Sequence, residues 1–431
     1  MSSSPVSPRN PLTLPSLAGA DWFAWPETKK LFGVVAGKGV ETRAVGGAVR
    51  NTLLGRPVGE VDFASTATPE QVRELAESAG LKVVPTGIEH GTVTVIVGKH
   101  PFEVTTLRRD VETFGRHAKV AYTDDWAIDA SRRDFTMNAL YVSADGALHD
   151  PLRGYGDIAE SRVRFIGDAG ERIREDYLRI LRFFRFNAEY GAPPYDAEGI
   201  AACVREREGL EQLSAERVGA ELMQLLGAPG AGDALTAMFD HGLLVSLLAS
   251  APLLVDFRRL TGIEEALRAA PDPVLRLGAL VVVVPEDAER LGRRFRLSNA
   301  DVKRLDAIGW RSDLSAGSAE ASAKILLYRV GEDSYRDRVL MAWARSGDAP
   351  NNADWRRLME LPDRWKAIAL PLKGADLIAL GFSKGPGLGK ALKAIEQKWI
   401  EDGFTGDRDA LMKVAREILG KSKTKAREKA S

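Results

Sequence analysis

The stretch AVGGAVRNTLLGRPVGEVDFAST, residues 44–66, decides the fold, because an apolar run meets two glycines and a helical pattern begins at once. Glycine has no Cβ, so Gly46 and Gly47 let backbone N–H groups approach a phosphate, and a helix start favours its negative charge. Arg50 lies one turn into this helix, where it could contact the same phosphate. A Gly-Gly turn alone is usually just a turn, so this interpretation depends on the acidic residues at positions 60 and 62.

These acids flank one apolar residue. Glu60, Val61 and Asp62 lie in a short extended run, and residues two apart on a strand point to the same face. Both carboxylates can therefore converge on one cation, and oxygen ligands with open positions for phosphate and water suit Mg²⁺. The alternative is a pair of exposed acids at a strand edge, which the neighbouring glycine turn makes the less favoured interpretation.

The two parts of the chain have different periodicities. Short β-rich runs alternate with turns and two short helical patterns between Thr42 and Thr106, which indicates a small mixed sheet with helices. From about Gly167 the strand patterns nearly vanish, and Leu, Ala and Arg recur at three- and four-residue intervals. We predict an α+β fold with a helical second part. The predicted strands are residues 43–45, 61–64, 81–84, 92–97 and 102–106.

Composition sets limits on the class of protein. A chain of 431 residues is expected to form about two to four packed units. Lys+Arg and Asp+Glu both total 60, so any affinity for RNA must come from local clusters of charge. The single cysteine, Cys203, excludes an internal disulfide framework and fits a reducing compartment, so we expect a cytoplasmic protein. No apolar run approaches the ~20 residues of a membrane span, and we expect no membrane partner.

Further segments occur in a fixed order, and they carry a resemblance to a known family. They are FEVTTLR (102–108), GRHA (115–118), RRDFTMNAL (132–140), Asp150-Pro151, Gly154, Asp157, EDYLR (175–179) and SAERVGAEL (214–222). Together with residues 44–66 they resemble the signature of the class II nucleotidyltransferases of the polymerase-β superfamily. That family includes CCA-adding enzymes and bacterial poly(A) polymerases. Ordered motifs over half of a chain make chance an unlikely cause.

The resemblance implies a head, neck, body and tail. We place a disordered lead-in at 1–20, the catalytic head at 21–160, the helical neck at 161–226, the tRNA-binding body and tail at 227–419, and a flexible basic tail at 420–431. The implied activity is addition of CCA to tRNA 3′ ends from CTP and ATP, with release of pyrophosphate and without a nucleic-acid template. Two Mg²⁺ ions would activate the RNA 3′-hydroxyl and stabilise the leaving pyrophosphate.

The expected site combines catalytic and nucleotide-binding residues. Glu60 and Asp62 are the expected catalytic residues and metal ligands. The residues expected to bind nucleotide are Gly46, Gly47, Arg50, Arg132, Arg133, Asn138, Asp176, Arg179, Arg182 and Arg185.

Arg132 and Arg133 precede an apparent helix, FTMNAL. Bidentate arginine contacts suit phosphate and ribose oxygens, although both side chains could instead be solvated. We expect Asp134 to cap the helix and at least one arginine to bind substrate. Asn138, one turn on, is expected at the sugar, with local backbone bonding as its alternative.

Asp176 and Arg179 are three residues apart in an apparent helical run and are expected to share a face. Cytosine and adenine both present an amino donor beside a ring-nitrogen acceptor, which a carboxylate and a guanidinium can pair with. Uracil and guanine present the reverse arrangement, so this pair would reject them. The alternative is an ordinary intrahelical salt bridge. Arg182 and Arg185 continue the face and would hold phosphates or stabilise the pair.

Two residues depart from the family pattern. Glu60 stands where the family usually has aspartate, and Asn51 stands where it often does. Glutamate keeps the charge but adds a methylene, so the metal geometry can shift. Glu103, in mid-strand, is either a third carboxylate near the metals or a structural acid. His117 is expected to be a surface residue rather than a general base.

Two alternatives to CCA addition remain open. Poly(A) polymerases carry a Gly-Arg-Arg-Phe-x-Leu string soon after the metal motif, but the similar string here, residues 292–297, lies far downstream. The corresponding place, residues 87–92, resembles the CCA-adding pattern. A non-catalytic RNA-binding relative is the second alternative, motivated by Glu60 and Asn51. The GPGLGK string at 385–390 lacks the Ser/Thr of a P-loop and is expected to begin a tail helix. The oligomeric state is not predicted.

Overall fold

The computed structural model describes residues 13–37, 39–85, 87–88, 91–114 and 117–428. A seven-stranded mixed sheet forms in the first part, with the strand order β3-β4-β5-β2-β1-β8-β9, beside a separate hairpin of β6 and β7. The strands are β1 Thr42–Val45, β2 Asp62–Ser65, β3 Lys82–Val84, β4 Thr92–Val97, β5 His100–Thr106, β6 Arg108–Phe114, β7 His117–Tyr122, β8 Tyr141–Val142 and β9 Leu148–His149. All five predicted strands are present within one or two residues of their expected ends.

Helices dominate the rest of the described fold. Those of the first part are α1 Asp21–Ala24, α2 Pro26–Val35, α3 Gly47–Leu53, α4 Pro69–Ser78, α5 Trp126–Ser131 and α6 Gly154–Ala159. They are followed by α7 Ala169–Glu175, α8 Leu178–Tyr190, α9 Ala197–Arg205, α10 Ala215–Gly227, α11 Ala231–Asp240, α12 Leu243–Leu248, α13 Leu254–Leu267, α14 Pro273–Val281, α15 Glu286–Phe295, α16 Asn299–Gly309, α17 Glu320–Val330, α18 Glu332–Ser346, α19 Ala353–Met359, α20 Leu361–Arg364, α21 Gly374–Ala379, α22 Pro386–Glu401 and α23 Arg408–Glu428. The predicted α+β class with a helical second part is confirmed.

The sheet forms because its strands alternate. In β4, Val93, Val95 and Val97 are buried, while the intervening side chains are half-buried on the other face. Helices α2 and α4 pack against this strand. Strands β2 and β5 run parallel, with Phe63 opposite Val104. Asp62 precedes Phe63 and Glu103 precedes Val104, so these two acids lie side by side at the same end of the sheet.

The chain divides into two compact units. The first comprises Met1–Leu254, Pro271–Pro273 and Leu291–Ser298, and it contains both the predicted head and the predicted neck. Its helical part is centred on a cluster of phenylalanines, in which Phe135 contacts Phe165, Phe183 and Phe186.

The second unit comprises Val255–Ala270, Val274–Arg290 and Asn299–Ser431. Part of its core is formed by Trp399, Ile395 and Leu377, against which Tyr328 and Trp365 pack. None of the helices among the described residues is long and apolar enough to cross a bilayer.

The structure describes part of each segment that was predicted to be flexible. Leu17 is buried, and Ser16 forms an isolated bridge with Ala147. At the other end, α23 continues without a break past Gly420 to Glu428. Residues 1–12 and 429–431 of these predicted segments lie outside the described part of the chain.

The predicted FTMNAL helix is also wrong. Phe135 is extended, with φ −124° and ψ 146°, and only Thr136–Asn138 form a single 3₁₀ turn. The cause is a tertiary contact, because Phe135 bridges to Phe165 in the manner of a strand. Asp134 therefore caps no α-helix, and its carboxylate is used elsewhere.

Gly154 holds this turn in place, and we predict that Gly154→Ala destabilises the first unit. A Cβ at Gly154 would lie 2.1 Å from the carbonyl oxygen of Thr136, which forces the backbone apart. Overpacking of this kind typically costs about 1–3 kcal/mol. Thermal unfolding should show a lower Tm than for Gly59→Ala, because a Cβ at Gly59 meets no atom within 4 Å. Equal Tm values for the two variants would contradict the predicted strain.

Candidate active site

The glycine turn at Gly46 and Gly47 lies where β1 passes into α3. Gly46 has φ 72° and ψ −121°, a conformation that side chains disfavour, and α3 begins at Gly47. A Cβ at Gly46 would sit 3.9 Å from both the Arg133 Nη1 and the Asn138 carbonyl oxygen. The turn is therefore enclosed by the segment that comes after α5.

Asp62 begins β2 directly opposite Val45, the last residue of β1. The Asp62 side chain is exposed to a cleft, but its carboxylate lies deep enough in that cleft to lose part of its hydration. Desolvation and the negative charges of Glu103 and Glu60 raise the pKa of Asp62 to about 6, against the opposing effect of Arg133. Three acids thus repel one another at this end of the sheet.

The two residues predicted to bind metal lie differently with respect to the cleft. Asp62 lines the cleft, whereas Glu60 is exposed, precedes the strand and is not part of the lining. Glu103 is the strand neighbour of Asp62. The described residues contain no cluster of three or more His, Cys, Asp or Glu side chains close enough to hold a metal by themselves. A metal at Asp62 would therefore need oxygen ligands from a bound molecule as well.

Arg132 and Arg133 are both fixed by a buried carboxylate that the sequence did not single out. Asp129 is 1% exposed and accepts hydrogen bonds from Arg132 Nε at 2.9 Å, Arg133 Nη2 at 3.1 Å and the Tyr141 hydroxyl at 2.9 Å. Burial alone would raise the pKa of Asp129, but Arg133 and Arg132 hold it below its ordinary value. The two guanidinium groups are thereby held at the cleft wall.

Asp134 connects the glycine turn to the helix α8. Its Oδ1 accepts from Asn138 Nδ2 at 2.9 Å, and its Oδ2 accepts from Arg182 Nε at 3.0 Å and from Arg182 Nη2. Asn138 Oδ1 in turn accepts from Arg50 Nη1 at 2.6 Å. Burial would raise the pKa of Asp134, but Arg182 and its hydrogen bonds hold it low. A continuous polar chain therefore runs from Arg50 through Asn138 and Asp134 to Arg182.

Arg50 is a buried cation whose hydrogen-bond partners are neutral. It is 7% exposed, and besides Asn138 it donates to Asn51 Oδ1 and to the Tyr190 hydroxyl, at 2.9 Å and 2.8 Å from Nη2. Its guanidinium stacks on the Tyr190 ring at 4.1 Å. Among the described contacts Arg50 forms no ion pair with a carboxylate, and burial lowers its pKa against the raising effects of Tyr190, Glu189 and Asp134. The positive charge of Arg50 is consequently left to act on the cleft beside Gly47.

Asp176 and Arg179 do not lie on one continuous helix. Asp176 is extended, with φ −156° and ψ 104°, and separates α7 from α8. The side chains have different partners: Asp176 Oδ2 accepts from Arg217 Nη2 at 2.6 Å, and Arg179 Nη1 donates to Glu175 and to the Arg172 carbonyl oxygen. The expected common helical face is therefore wrong, as is the alternative of a salt bridge between the two. Both side chains nevertheless line the same cleft.

Arg185 is placed away from the cleft lining. It is buried and pairs with Glu221 of α10 and, at 3.0 Å, with Glu189. The ion pair with Glu221 connects α8 to α10. Arg185 therefore does not lie where a contact with the nucleotide was expected. Arg182 remains in the lining, one turn before it.

The cleft has a volume of about 470 Å³. It is lined by Gly46, Gly47, Arg50, Asp62, Arg132, Arg133, Asp134, Asn138, Asp176, Leu178, Arg179, Arg182, Phe186 and Arg217. All of the expected site residues except Glu60 and Arg185 therefore meet in one place. Arg217 was missed as a site residue, although the SAERVGAEL segment that contains it carries part of the family resemblance. Arginine in the first turn of a helix is common on exposed helices, so the local sequence did not indicate that Arg217 is a site residue.

The buried Asp129 provides a test of the site's electrostatics. Since its pKa is lower in the folded state than in the unfolded chain, its stabilising contribution is present at neutral pH and is lost as pH falls through the folded value. Asp129→Asn should lower the free energy of unfolding by about 1–3 kcal/mol at pH 7. The difference from wild type should shrink in acid. Tm values of both proteins from about pH 7 down to about pH 3 would measure it, and a constant difference would contradict the assignment.

Comparisons with known proteins agree with this geometry. A family model described as the Poly A polymerase head domain matches residues 42–164. The chain is 34% identical over 381 residues to the CCA tRNA nucleotidyltransferase 1, mitochondrial, of Danio rerio, and the match covers 86% of each chain. It is 30% identical over 387 residues to the CCA-adding enzyme of Limosilactobacillus fermentum, which is 88% of this chain and 94% of that relative.

A solved structure is similar over nearly the whole length. The crystal structure of the Bacillus stearothermophilus CCA-adding enzyme in complex with CTP matches with a TM-score of 0.71 and 27% identity, over 93% of this chain and 98% of that chain. Sequence identity above 30% to a curated relative, over most of the chain, shows the family of this protein, and the cleft at Gly46, Asp62 and Asp176 agrees with it. The chain belongs to the CCA-adding tRNA nucleotidyltransferases.

Proposed function

We propose that this chain adds CCA to the 3′ ends of tRNA, taking CTP and ATP as substrates and releasing pyrophosphate in a Mg²⁺-dependent transfer. The observation that carries the proposal is that a carboxylate and a guanidinium suited to a base, Asp176 and Arg179, enter the same cleft as Asp62 and the glycine turn. One bound nucleotide can therefore meet a base-recognition group and a catalytic carboxylate together.

The base would be selected by its hydrogen-bonding pattern. A carboxylate only accepts and a guanidinium only donates, so Asp176 accepts from the amino group of cytosine or adenine and Arg179 donates to the adjacent ring nitrogen. Arg179 uses its Nη1 for Glu175 and Arg172, and the described hydrogen bonds leave its Nε and Nη2 N–H groups for the base. Uracil and guanine would place a carbonyl against the carboxylate, at a cost of about 1–3 kcal/mol per unpaired group.

The triphosphate would lie between the glycine turn and the arginines. Arg132 and Arg133 are held by Asp129, so they can donate to phosphate oxygens without first losing conformational freedom. The buried charge of Arg50 stabilises an anion beside Gly47, where a Cβ would lie 3.8 Å from its Nη2. This part of the cleft is thus suited to a polyanion, while Asp176, which lines the same cleft, serves base recognition.

The acids at β2 and β5 fit Mg²⁺ by their chemistry. Asp62 offers hard oxygen ligands, and its pKa of about 6 reflects desolvation first and then the neighbouring acids Glu103 and Glu60, against the opposing effect of Arg133. Mg²⁺ held there would supply charge neutralisation and a more acidic RNA 3′-hydroxyl. Asp62 would hold the ion, with Glu103 or Glu60 supporting it.

Extension of a tRNA transcript lacking CCA tests the function directly. Purified protein would receive the transcript, Mg²⁺ and each of the four nucleoside triphosphates singly and together. We expect a product that stops after CCA. A long adenosine ladder would identify a poly(A) polymerase instead, and binding without extension would identify a non-catalytic RNA-binding relative.

Asp62→Asn should abolish extension while tRNA binding survives, because the amide keeps the size of the side chain and removes its charge. We expect kcat to fall by about 10² to 10³-fold or more, as when a group that stabilises transition-state charge is lost. Primer extension gives the rate, and gel-shift titration gives the affinity for tRNA. Asp145→Asn, in an exposed turn, is the matched control. Turnover of Asp62→Asn near the wild-type value would contradict the catalytic assignment.

Asp176→Ala, with Arg179 retained, should lose discrimination against UTP and GTP as well as overall rate. Removing the carboxylate removes the group that opposes a carbonyl on the wrong base, so the preference should fall by roughly tenfold or more. Single-nucleotide incorporation would be measured for all four triphosphates. Glu171→Ala, on the exposed first turn of α7, serves as the control. An unchanged preference ratio in Asp176→Ala would refute base recognition by this residue.

A further inference from the structure

Tyr190, the last residue of α8, contacts Arg50 in two ways. Its hydroxyl accepts from Arg50 Nη2 at 2.8 Å, and Arg50 Cζ lies 4.1 Å from the centre of its ring. A second guanidinium, that of the exposed Arg56, lies 4.8 Å from the same ring centre. The ring attracts both cations, whereas the hydrogen bond to the hydroxyl favours one orientation of Arg50. The end of α8 therefore orients a cation of the cleft.

The guanidinium of Arg50 has five N–H donors, and the described hydrogen bonds use four of them. Nε and Nη2 donate to Asn51 Oδ1, Nη1 donates to Asn138 Oδ1, and a second N–H of Nη2 donates to the Tyr190 hydroxyl. These bonds leave one N–H of Nη1 for a bound anion, and Arg50 lines the cleft together with Gly47. The direction of that N–H is consequently set by the neutral partners that hold the rest of the group.

The Tyr190 hydroxyl also interacts with a carboxylate, that of Glu189. Burial raises the pKa of Tyr190 against the effect of Arg50, and the charge of Glu189 and a hydrogen bond to it raise this pKa further. The phenol is therefore neutral at neutral pH, so its O–H donates to Glu189 while its oxygen accepts from Arg50. Glu189 is itself paired with Arg185 at 3.0 Å. Tyr190 thus connects Arg50 to Glu189 without a direct ion pair between them among the described contacts.

We propose that Tyr190 is a positioning residue for the triphosphate: its hydroxyl aims Arg50 at the glycine turn and keeps that cation apart from the Glu189 carboxylate. The inference rests on the proposed function, because the anion that Arg50 meets is the triphosphate of the incoming nucleotide. A cation held by neutral partners keeps its charge for an arriving anion, whereas a carboxylate in direct contact would offset it. A donor that is already oriented also needs no reorganisation when the anion arrives.

This role concerns the phosphates and leaves the choice of base unchanged. Base recognition is assigned to Asp176 and Arg179, and neither of them is among the described hydrogen-bond partners of Tyr190 or Arg50. Loss of the Tyr190 hydroxyl should therefore weaken all four nucleoside triphosphates by the same factor. General damage to the cleft would instead change the preference between them.

The test measures the dissociation constant of inorganic pyrophosphate, in the presence of Mg²⁺, by isothermal titration calorimetry. Pyrophosphate has neither base nor sugar, so it reports on the phosphate-binding part of the cleft alone. In Tyr190→Phe, which keeps the ring and removes the hydroxyl, Kd should rise by roughly tenfold. KM for CTP and for ATP should rise by similar factors, with unchanged ratios of kcat/KM for CTP to UTP and for ATP to GTP.

Tyr328→Phe is the matched control. It removes a hydroxyl that likewise donates to a glutamate, Glu396, at 2.7 Å, but it lies in the second unit. Its Kd for pyrophosphate should equal that of wild type.

A double variant shows whether Tyr190 acts through Arg50. Arg50→Gln removes the cation and should itself raise Kd for pyrophosphate. If the hydroxyl acts through Arg50, adding Tyr190→Phe to Arg50→Gln should raise Kd no further. Should Arg50→Gln fail to fold, Arg50→Lys keeps the charge but lacks the planar fork, and the same comparison applies.

Four results would decide against the inference or its basis. An unchanged Kd for pyrophosphate in Tyr190→Phe would overturn the proposal, as would a wild type that does not bind pyrophosphate. Altered ratios of CTP to UTP in Tyr190→Phe would make the residue a general support of the cleft and also overturn it. A further rise of Kd in the double variant would overturn the action through Arg50. Absence of extension by a wild type that binds pyrophosphate would instead count against the proposed function, which separates the two failures.

Discussion

The Asp134 carboxylate is the interaction on which the cleft depends. It is shared between Asn138 on one oxygen and Arg182 on the other, and Asn138 passes the connection to Arg50. A charge that is buried and hydrogen-bonded on both oxygens is costly to disturb, because removing one partner leaves the others unsatisfied. The glycine turn, the 3₁₀ turn and α8 are thereby held in one arrangement, even though they are far apart in sequence.

The strands and the cleft residues were predictable where local pattern and tertiary structure agree. Alternation in β4 and the glycine pair before α3 indicated both the sheet and the phosphate-binding turn. The hairpin of β6 and β7, which forms a two-stranded sheet apart from the seven-stranded one, was not predicted. Residues 115–116 of its connection lie outside the described part of the chain, and so do Glu89 and His90 of the predicted CCA-like turn.

Other errors arose where a tertiary contact or a single residue overrode periodicity. Helical spacing continues across Asp176, so the sequence hides the extended residue that separates α7 from α8. Glu60 was expected on the strand with Asp62, but Pro57 and Gly59 precede it and the strand begins only at Asp62. Arg185 shares a helical face with Arg182 in sequence, but the buried Glu221 draws it to α10. Long-range ion pairs of this kind leave no local signal.

The cleft lining contains twice as many arginines as aspartates, although the whole chain carries no net charge. Its lining includes the arginines at 50, 132, 133, 179, 182 and 217, opposed by the aspartates at 62, 134 and 176. A positive excess within a concave wall focuses the field on an incoming anion and raises its rate of association, and dissolved salt weakens this attraction over a Debye length of about 8 Å at physiological ionic strength. A chain with equal numbers of acidic and basic residues would thus attract an anionic substrate through the arginines of this one cleft rather than through a net positive charge.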